Sequence, residues 1–488
     1  MVLQEFTKKS KETKMKRRDF VKLGLLTSLS STMFANEEKK LIGSFPSFSK
    51  PLAIPPILEP KIVNGIKEFD LNVQKGKVDF LKGIKTNTYG VNTDFLGPTI
   101  KVNKNDTLKM NVKNSLNEET VIHWHGLKVP GVNDGGPNRS IHPNKTWTTQ
   151  FKINQRSSMC WYHPHTHEKT GEQVFMGIAG LFIIEDEDSK KLDIPKEYGI
   201  DDIPLVFQDR RFDMQGQFLY KQSMHDVMMG VTGNFSLVNG VIDPYVNVSP
   251  KTIRFRILNG SNARISRFMF NDKRNFYQIA GDSSFLPKPI KMNTLLLSPG
   301  ERAEILVDLS DLVGKGILFG DELAGKGLLR IYVKDEKKQK FSIPKKLTTI
   351  KEYIQLDSPK IREFSLDMRP GWLAINGKQM DMKRIDEEIN LGETEIWRIK
   401  NPQQMPHPFH IHGCSFKILS RNGNKPYLNE TGLKDTVLVY GNETVDVAVK
   451  FEHEATKEYP YMYHCHILEH EDAGMMGQFT VKKKKEWL

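Results

Sequence analysis

The chain has 488 residues, which at about 150 residues per domain suggests three domains. Hydrophobic residues make up 38% and charged residues 27%, with a mean hydropathy of −0.47. These values exclude a polytopic membrane protein, and 27 Phe, 13 Tyr and 6 Trp exclude wholesale disorder. Three Cys exclude a disulfide framework, and the net charge of +12 has no basic stripe with interleaved aromatics beside it, so no nucleic-acid partner is expected.

Residues 1–35 carry eight Lys or Arg against three acids, so +5 of the charge lies there and +7 in the remainder. Lys16-Arg17-Arg18-Asp19-Phe20 precedes a short, Ser- and Thr-containing apolar run from Leu23 to Ala35. That run is too short and too polar for a stable membrane span. Paired arginines before a weak apolar segment resemble a twin-arginine export signal, which carries folded proteins. The expectation is therefore export to the periplasm. An ordinary secretory signal or an uncleaved anchor is the alternative, and Met15 is an alternative start. The basic tail Lys482 to Lys485 reads as a solvated terminus.

From about residue 50 the chain reads as short strands between turn signals. Thr99-Ile-Lys-Val-Asn, Thr107-Leu-Lys-Met-Asn-Val, Thr252-Ile-Arg-Phe-Arg-Ile-Leu and Thr444-Val-Asp-Val-Ala-Val-Lys alternate apolar and polar residues, the period of a half-buried strand. Asn259-Gly260, Pro299-Gly300, Asn376-Gly377 and Asn422-Gly423 punctuate them, and long helical patterns are nearly absent. The pattern predicts an all-β fold of sandwiches or barrels. Charged stretches at Glu185–Lys191 and Lys334–Lys346 give provisional boundaries: an export segment at 1–35, then domains at 50–187, 188–346 and 347–488.

The 14 His are unevenly spread. His123-Trp-His125-Gly, His163-Pro-His165, His407-Pro-Phe-His410-Ile-His412-Gly and His464-Cys465-His466 hold most of them, and the last runs on to His470 and Met475. Residues i and i+2 project from one face of a strand. Four His-X-His pairs thus offer eight imidazoles that four strands can converge on one site, a donor set suited to copper. In His464-Cys465-His466 the cysteine faces the other way. With His407, His470 and Met475 it forms a second set of one thiolate, two imidazoles and one thioether, the composition of a blue-copper electron-transfer centre. Zinc fits poorly, because no Cys-X-X-Cys is present and Met is a poor zinc ligand.

On these motifs the chain resembles the multicopper oxidase family over nearly all of residues 50–480, in particular the three-domain bacterial copper-efflux (cuprous) oxidases and laccases. The resemblance implies three cupredoxin-like Greek-key β-sandwich domains and four coppers. His407, Cys465 and His470, with Met475 axial, would bind a type 1 copper in the third domain, and His123 and His410 a type 2 copper. His125, His163 and His466 would bind one type 3 copper, and His165, His412 and His464 its partner. A reducing substrate, Cu(I), Fe(II) or a phenol, would deliver electrons one at a time through Cys465, and dioxygen would be reduced to water at the trinuclear cluster. Asp134 and Glu471 match the family's proton-relaying carboxylates. Copper-free relatives that keep only the fold, such as a cell-division factor, match poorly because every ligand is present here.

His167 extends the face of His165 without a family counterpart and reads as surface or a neighbour of the ligands. His142, His225 and His453 read as structural or exposed. Cys160 and Cys414 read as free buried thiols. Of the 19 Met, most read as core filler. Met224, Met228 and Met229 cluster beside His225, and Met405, two before His407, is the best candidate for lining the path to the type 1 copper. The long Met-rich insertion of some cuprous oxidases is missing, and Gln403 stands where a carboxylate that ligates the substrate sits in those relatives. The expected activity is cuprous oxidase or laccase-like, in copper tolerance. A ferroxidase, or a copper-sequestering protein with incidental oxidase activity, are the alternatives, and a monomer is expected.

Overall fold

The structure is a computed structural model that describes residues 47–339, 341–351, 353 and 359–484; the expected export segment lies outside them. Among the described residues six β-sheets form three sandwiches, each closed around its own apolar core. In the first, strands Ile66–Val78, Thr107–Asn114 and Thr146–Lys152 face the sheet that runs Ile100–Asn103, Gly180–Glu185, Ser158–Pro164, Ile122–His125. Leu71, Leu108 and Phe151 from one sheet meet Ile100, Trp124 and Phe182 from the other. The alternating residues of Thr107–Asn114 alternate in burial along most of the strand, as the two-residue period requires.

The middle sandwich packs Phe268, Leu295 and Phe319 against Ile203, Phe255 and Ile305. Its strand Thr252–Asn259 departs from the expected half-buried alternation, because every residue in it is buried. The polar positions go inside as a paired cluster. Arg256 donates to both oxygens of Asp202 at 2.7 and 2.8 Å and to Glu304 at 2.7 Å, and Arg254 Nε donates to Glu304 at 2.9 Å. Buried charges are tolerated only when paired in this way. The short strand Lys50–Pro51 pairs with Pro244 and Tyr245 of this sandwich.

The third sandwich sets Phe364 and Trp397 against Phe409, Tyr463 and Phe479. Here the strand His407–Ile411 lies beside Tyr461–Cys465, so the histidine-rich segments are central strands with buried residues throughout. The described helices are short, the longest being Thr170–Met176, and none is long and apolar enough to cross a membrane.

Breaking the middle cluster from one side should be costly. Glu304→Gln removes one of the two carboxylates that share Arg254 and Arg256, and a loss of about 3–5 kcal/mol is expected, read as a lowered denaturant midpoint with the slope of the transition unchanged.

Candidate metal centres

Two antiparallel ladders present the histidines. In the first sandwich His123 lies directly opposite His163, and in the third His410 lies directly opposite His464. The two-residue period puts His125, His165, His412 and His466 on the same faces, and the two ladders meet face to face. His125 stacks on His410 with ring centroids 3.7 Å apart, and His123 on His412 at 3.8 Å. All eight imidazoles are buried.

Hydrogen bonds from the outward ring nitrogens set the tautomers. Nδ1–H of His123, His163, His410 and His464 donates to the main-chain carbonyls of Asp134, Pro164, Asp435 and Cys465 at 2.7–2.9 Å, and His412 Nδ1 donates to Asp134 Oδ2 at 2.8 Å. Their Nε2 lone pairs therefore point inward. His125 is reversed: its Nε2 donates to Asp435 Oδ1 at 2.9 Å, leaving Nδ1 inward, 3.4 Å from His163 Nε2. His464 Nε2 lies 3.2 Å from His412 Nε2 and 3.4 Å from His165 Nε2, while His123 Nε2 and His410 Nε2 have no partner. Burial, reinforced by neighbouring imidazoles, holds His125, His163, His410 and His412 well below the usual histidine range and His165 and His466 at about 3. Neutral rings aiming lone pairs at one another in a dry space fit cations and little else. The inward atoms fall into the groups His125–His163–His466, His165–His412–His464 and His123–His125–His410, each within 4.8 Å.

The second centre lies on the opposite face of the same third-sandwich strands. Cys465 is opposite Phe409 and points into the core, where its Sγ is 3.5 Å from His407 Nδ1 and 3.6 Å from His470 Nδ1, with the two nitrogens 3.3 Å apart. Burial pushes the Cys465 thiol up and holds His407 at about 3 and His470 at about 4. A thiol that resists ionisation beside two lone pairs becomes a thiolate only with a cation, so these residues also fit copper. Met475 is buried in the same core, and its backbone ties to Cys465 and His470 at 3.0 and 2.8 Å.

The helix Leu468–Asp472 carries His470 and is held from the other two sandwiches. His470 Nε2–H donates to the Met228 carbonyl at 3.0 Å, which leaves the Nδ1 lone pair facing Cys465 Sγ and His407. Glu469 accepts from Tyr220 Oη, Asn262 Nδ2 and the Val231 amide at 2.8–3.0 Å. Asp472 accepts the amides of Thr170 and Gly171 at 2.9 and 2.8 Å.

Asp134 and Glu471 both reach the histidine cluster. Asp134 Oδ2 bonds His412 and lies 3.4 Å from His123 Nδ1, with Oδ1 buried and unpartnered. Glu471 lies 3.1 Å from His464 Nδ1 and 3.4 Å from His165 Nδ1. His167 is part-exposed beside Glu168, and His142 is exposed and paired with Glu119. Cys160 and Cys414 are free and buried. Spacing rules had no means of finding three other contributors: the Met228 carbonyl, Trp161 stacked on His163 at 4.2 Å, and Asp435, which holds two ligand histidines. Each contributes through tertiary contact rather than a motif.

The three cupredoxin-like sandwiches and paired metal centres define a copper oxidase. Residues 72–189 and 350–485 match the multicopper oxidase family. The multicopper oxidase mco of Staphylococcus haemolyticus is 38% identical over 92% of this chain and 96% of its own length. The cell division protein FtsP of Escherichia coli is 36% identical over 88% of this chain and 93% of its own. The solved structure of a laccase from Pediococcus acidilactici superposes with a TM-score of 0.86 at 35% identity, covering 91% of this chain and 95% of that one. This chain belongs to the multicopper oxidase family and is an oxidase that takes copper, dioxygen and a reducing substrate.

The depressed histidines make the metal-free protein acid-sensitive. Unfolded, each imidazole takes a proton near pH 6.5; folded, His165, His407 and His466 do so only at about 3 and His470 at about 4. Below pH 6.5 the unfolded chain holds more protons, so stability falls as pH falls. The metal-free protein should lose stability between about pH 6.5 and pH 4, by up to about 1.4 kcal/mol per pH unit for each such histidine, measured as unfolding midpoints across that range.

Proposed function

We propose that this oxidase takes electrons one at a time at the Cys465 centre and uses them on dioxygen at the histidine cluster, with Cu(I) as its reducing substrate and a role in copper tolerance. The observation that carries the electron route is covalent: Cys465 lies between His464 and His466, so one residue separates the two centres. In this reading four coppers are held. One sits at His407, Cys465 and His470 with Met475, and one at His123 and His410. The other two sit at His125, His163 and His466, and at His165, His412 and His464. Copper there supplies one-electron transfer on the cysteine side and the four-electron reduction of dioxygen to water on the other.

The chain's own residues arrange the protons and the approach. Asp134, with a free buried oxygen, and Glu471, beside His464 and His165, both reach the cluster, where a carboxylate can relay protons inward. The main-chain carbonyls fix the imidazole tautomers before any substrate arrives. Support for Cu(I) comes from the helix Met224–Met229. The carbonyl of its Met228 bonds ligand His470, while Met224 and Met229 are 60% and 48% exposed. Exposed thioethers are soft ligands for Cu(I). They lie on the helix whose Met228 carbonyl reaches the electron-accepting centre, in a chain that lacks the Met-rich insertion of some cuprous oxidases.

The division into 50–187, 188–346 and 347–488 is supported by sheet membership, with Lys50–Pro51 the one strand that pairs across it. Export to the periplasm rests on Arg17-Arg18 and the apolar run after them. A monomer is the proposed state.

Cys465→Ser should abolish oxygen consumption with every reductant and remove the blue absorption, while leaving the histidine cluster able to bind copper. Met224→Leu with Met229→Leu should raise KM for Cu(I) by roughly tenfold, an effect of about 1.4 kcal/mol, and leave KM for a phenol unchanged. An equal loss with both reductants would overturn the Cu(I) assignment, and copper-loaded wild-type protein that consumes no oxygen with Cu(I), Fe(II) or a phenol would overturn the enzyme reading.

A further inference from the structure

Asp435 lies in the third sandwich just before the strand Thr436–Val439 and is fully buried. Its Oδ1 accepts from His125 Nε2 at 2.9 Å, while its main-chain oxygen accepts from His410 Nδ1 at 2.7 Å. One residue thus orients two stacked imidazoles that present opposite nitrogens to the interior. Thr436 Oγ1 adds contacts of 3.2 Å to both rings.

Asp435 is itself held by a guanidinium from the middle sandwich. Arg302 donates to Oδ1 at 2.6 Å and to Oδ2 at 2.5 Å, the two-pronged geometry that a planar fork gives with a carboxylate. Its remaining donors go to the carbonyls of Met159 at 2.8 Å, Gly300 at 3.0 Å and Asp282 at 3.1 Å. All five N–H groups of Arg302 are used, and they reach the first sandwich at Met159, the middle at Gly300 and Asp282, and the third at Asp435. Ser283 Oγ donates to Asp435 Oδ2 at 2.9 Å.

The backbone next to the cluster makes room for this pair. Gly126 follows ligand His125 with φ +89°, and a Cβ there would lie 2.7 Å from Asp435 Oδ2 and 2.8 Å from Arg302 Nη2. The glycine of the His-Trp-His-Gly motif is thus required both by its left-handed conformation and by the ion pair passing over it.

We propose that Asp435, locked by Arg302, is the positioning residue of the histidine cluster: it sets the tautomer and angle of His125 and His410 together, and the middle sandwich acts on the cluster through this pair. The proposal rests on the reading that the histidine cluster holds copper. Removing a partner of this kind typically costs about 10–100-fold in metal affinity or activity.

The test uses Asp435→Asn and Arg302→Lys in the full chain. Asparagine presents an amide donor where the carboxylate accepts, and lysine keeps the charge but loses the fork. In metal-free protein with 15N-labelled histidine, wild type should show His125 protonated at Nε2, and Asp435→Asn should shift it toward Nδ1. In copper-loaded protein both variants should alter the type 2 paramagnetic resonance and lower kcat by about tenfold or more. The blue absorption of the Cys465 centre and KM for the reductant should stay within twofold of wild type. Wild-type tautomer and resonance in both variants would overturn the proposal. So would equal loss of both copper centres with a fallen melting temperature, which would mean that the pair only holds the fold together. If wild-type protein itself binds no copper, the functional reading fails, and the tautomer measurement still decides what Asp435 does to His125.

Discussion

Eight buried imidazoles face one another, with ring nitrogens 3.2–3.4 Å apart at the nearest approaches. Neither protonation nor solvation relieves this arrangement. Burial keeps His125, His410 and His412 neutral, and the outward nitrogens of six of the rings are already committed to carbonyls and carboxylates. A shared cation is the remaining partner. Much of the surrounding structure follows from maintaining that condition: ring tautomers fixed by backbone oxygens, and the stacking of His125 on His410 and His123 on His412 where the first and third sandwiches meet.

The separation of two chemistries has an equally simple origin. A strand sends alternate residues to opposite faces. In Tyr461–Cys465 and His407–Ile411 one face meets the neighbouring sandwich and the other enters the core. His464 and His410 therefore go to the interface, whereas Cys465 and His407 go inside, beside Met475. The two centres are the two sides of one ladder. Their separation is one peptide linkage along the chain, and no mobile segment is needed to connect them. The thioether and thiol lie in an apolar core, and the cluster at an interface that Asp134 and Glu471 both reach.

Local periodicity made much of this legible. The His-X-His spacing foretold shared faces, and the ring pairs lie on shared faces in both ladders. Cys465 facing away from its neighbours was likewise readable from the two-residue period. The alternation in Thr252–Asn259 misled on one point, because Arg254 and Arg256 are not solvent-facing. They are buried by carboxylates from the separate strands Asp202–Arg210 and Arg302–Asp308. The same limit hid Asp435 and the Met228 carbonyl. Both act across long sequence separations, 310 residues for Asp435 and His125 and 242 for Met228 and His470. A carbonyl leaves no trace in residue identity.

Among the described residues no member of the candidate metal-holding groups lies in the middle sandwich, yet both centres lean on it. Tyr220, Val231 and Asn262 hold Glu469, and the Met228 carbonyl holds His470, on one side. Arg302 grips Asp435 on the other. The segment from His464 to Met475, and through Asp435 the rings of His125 and His410, are therefore anchored by the middle sandwich. A strand ladder alone fixes which face a side chain takes, but not the angle of its ring. Buried charge-assisted bonds with full donor satisfaction, such as those of Arg302, supply that second constraint, because releasing any one of them leaves a charge without partners in a dry interior. Ring angle at the cluster is thus tied to the packing of three sandwiches together.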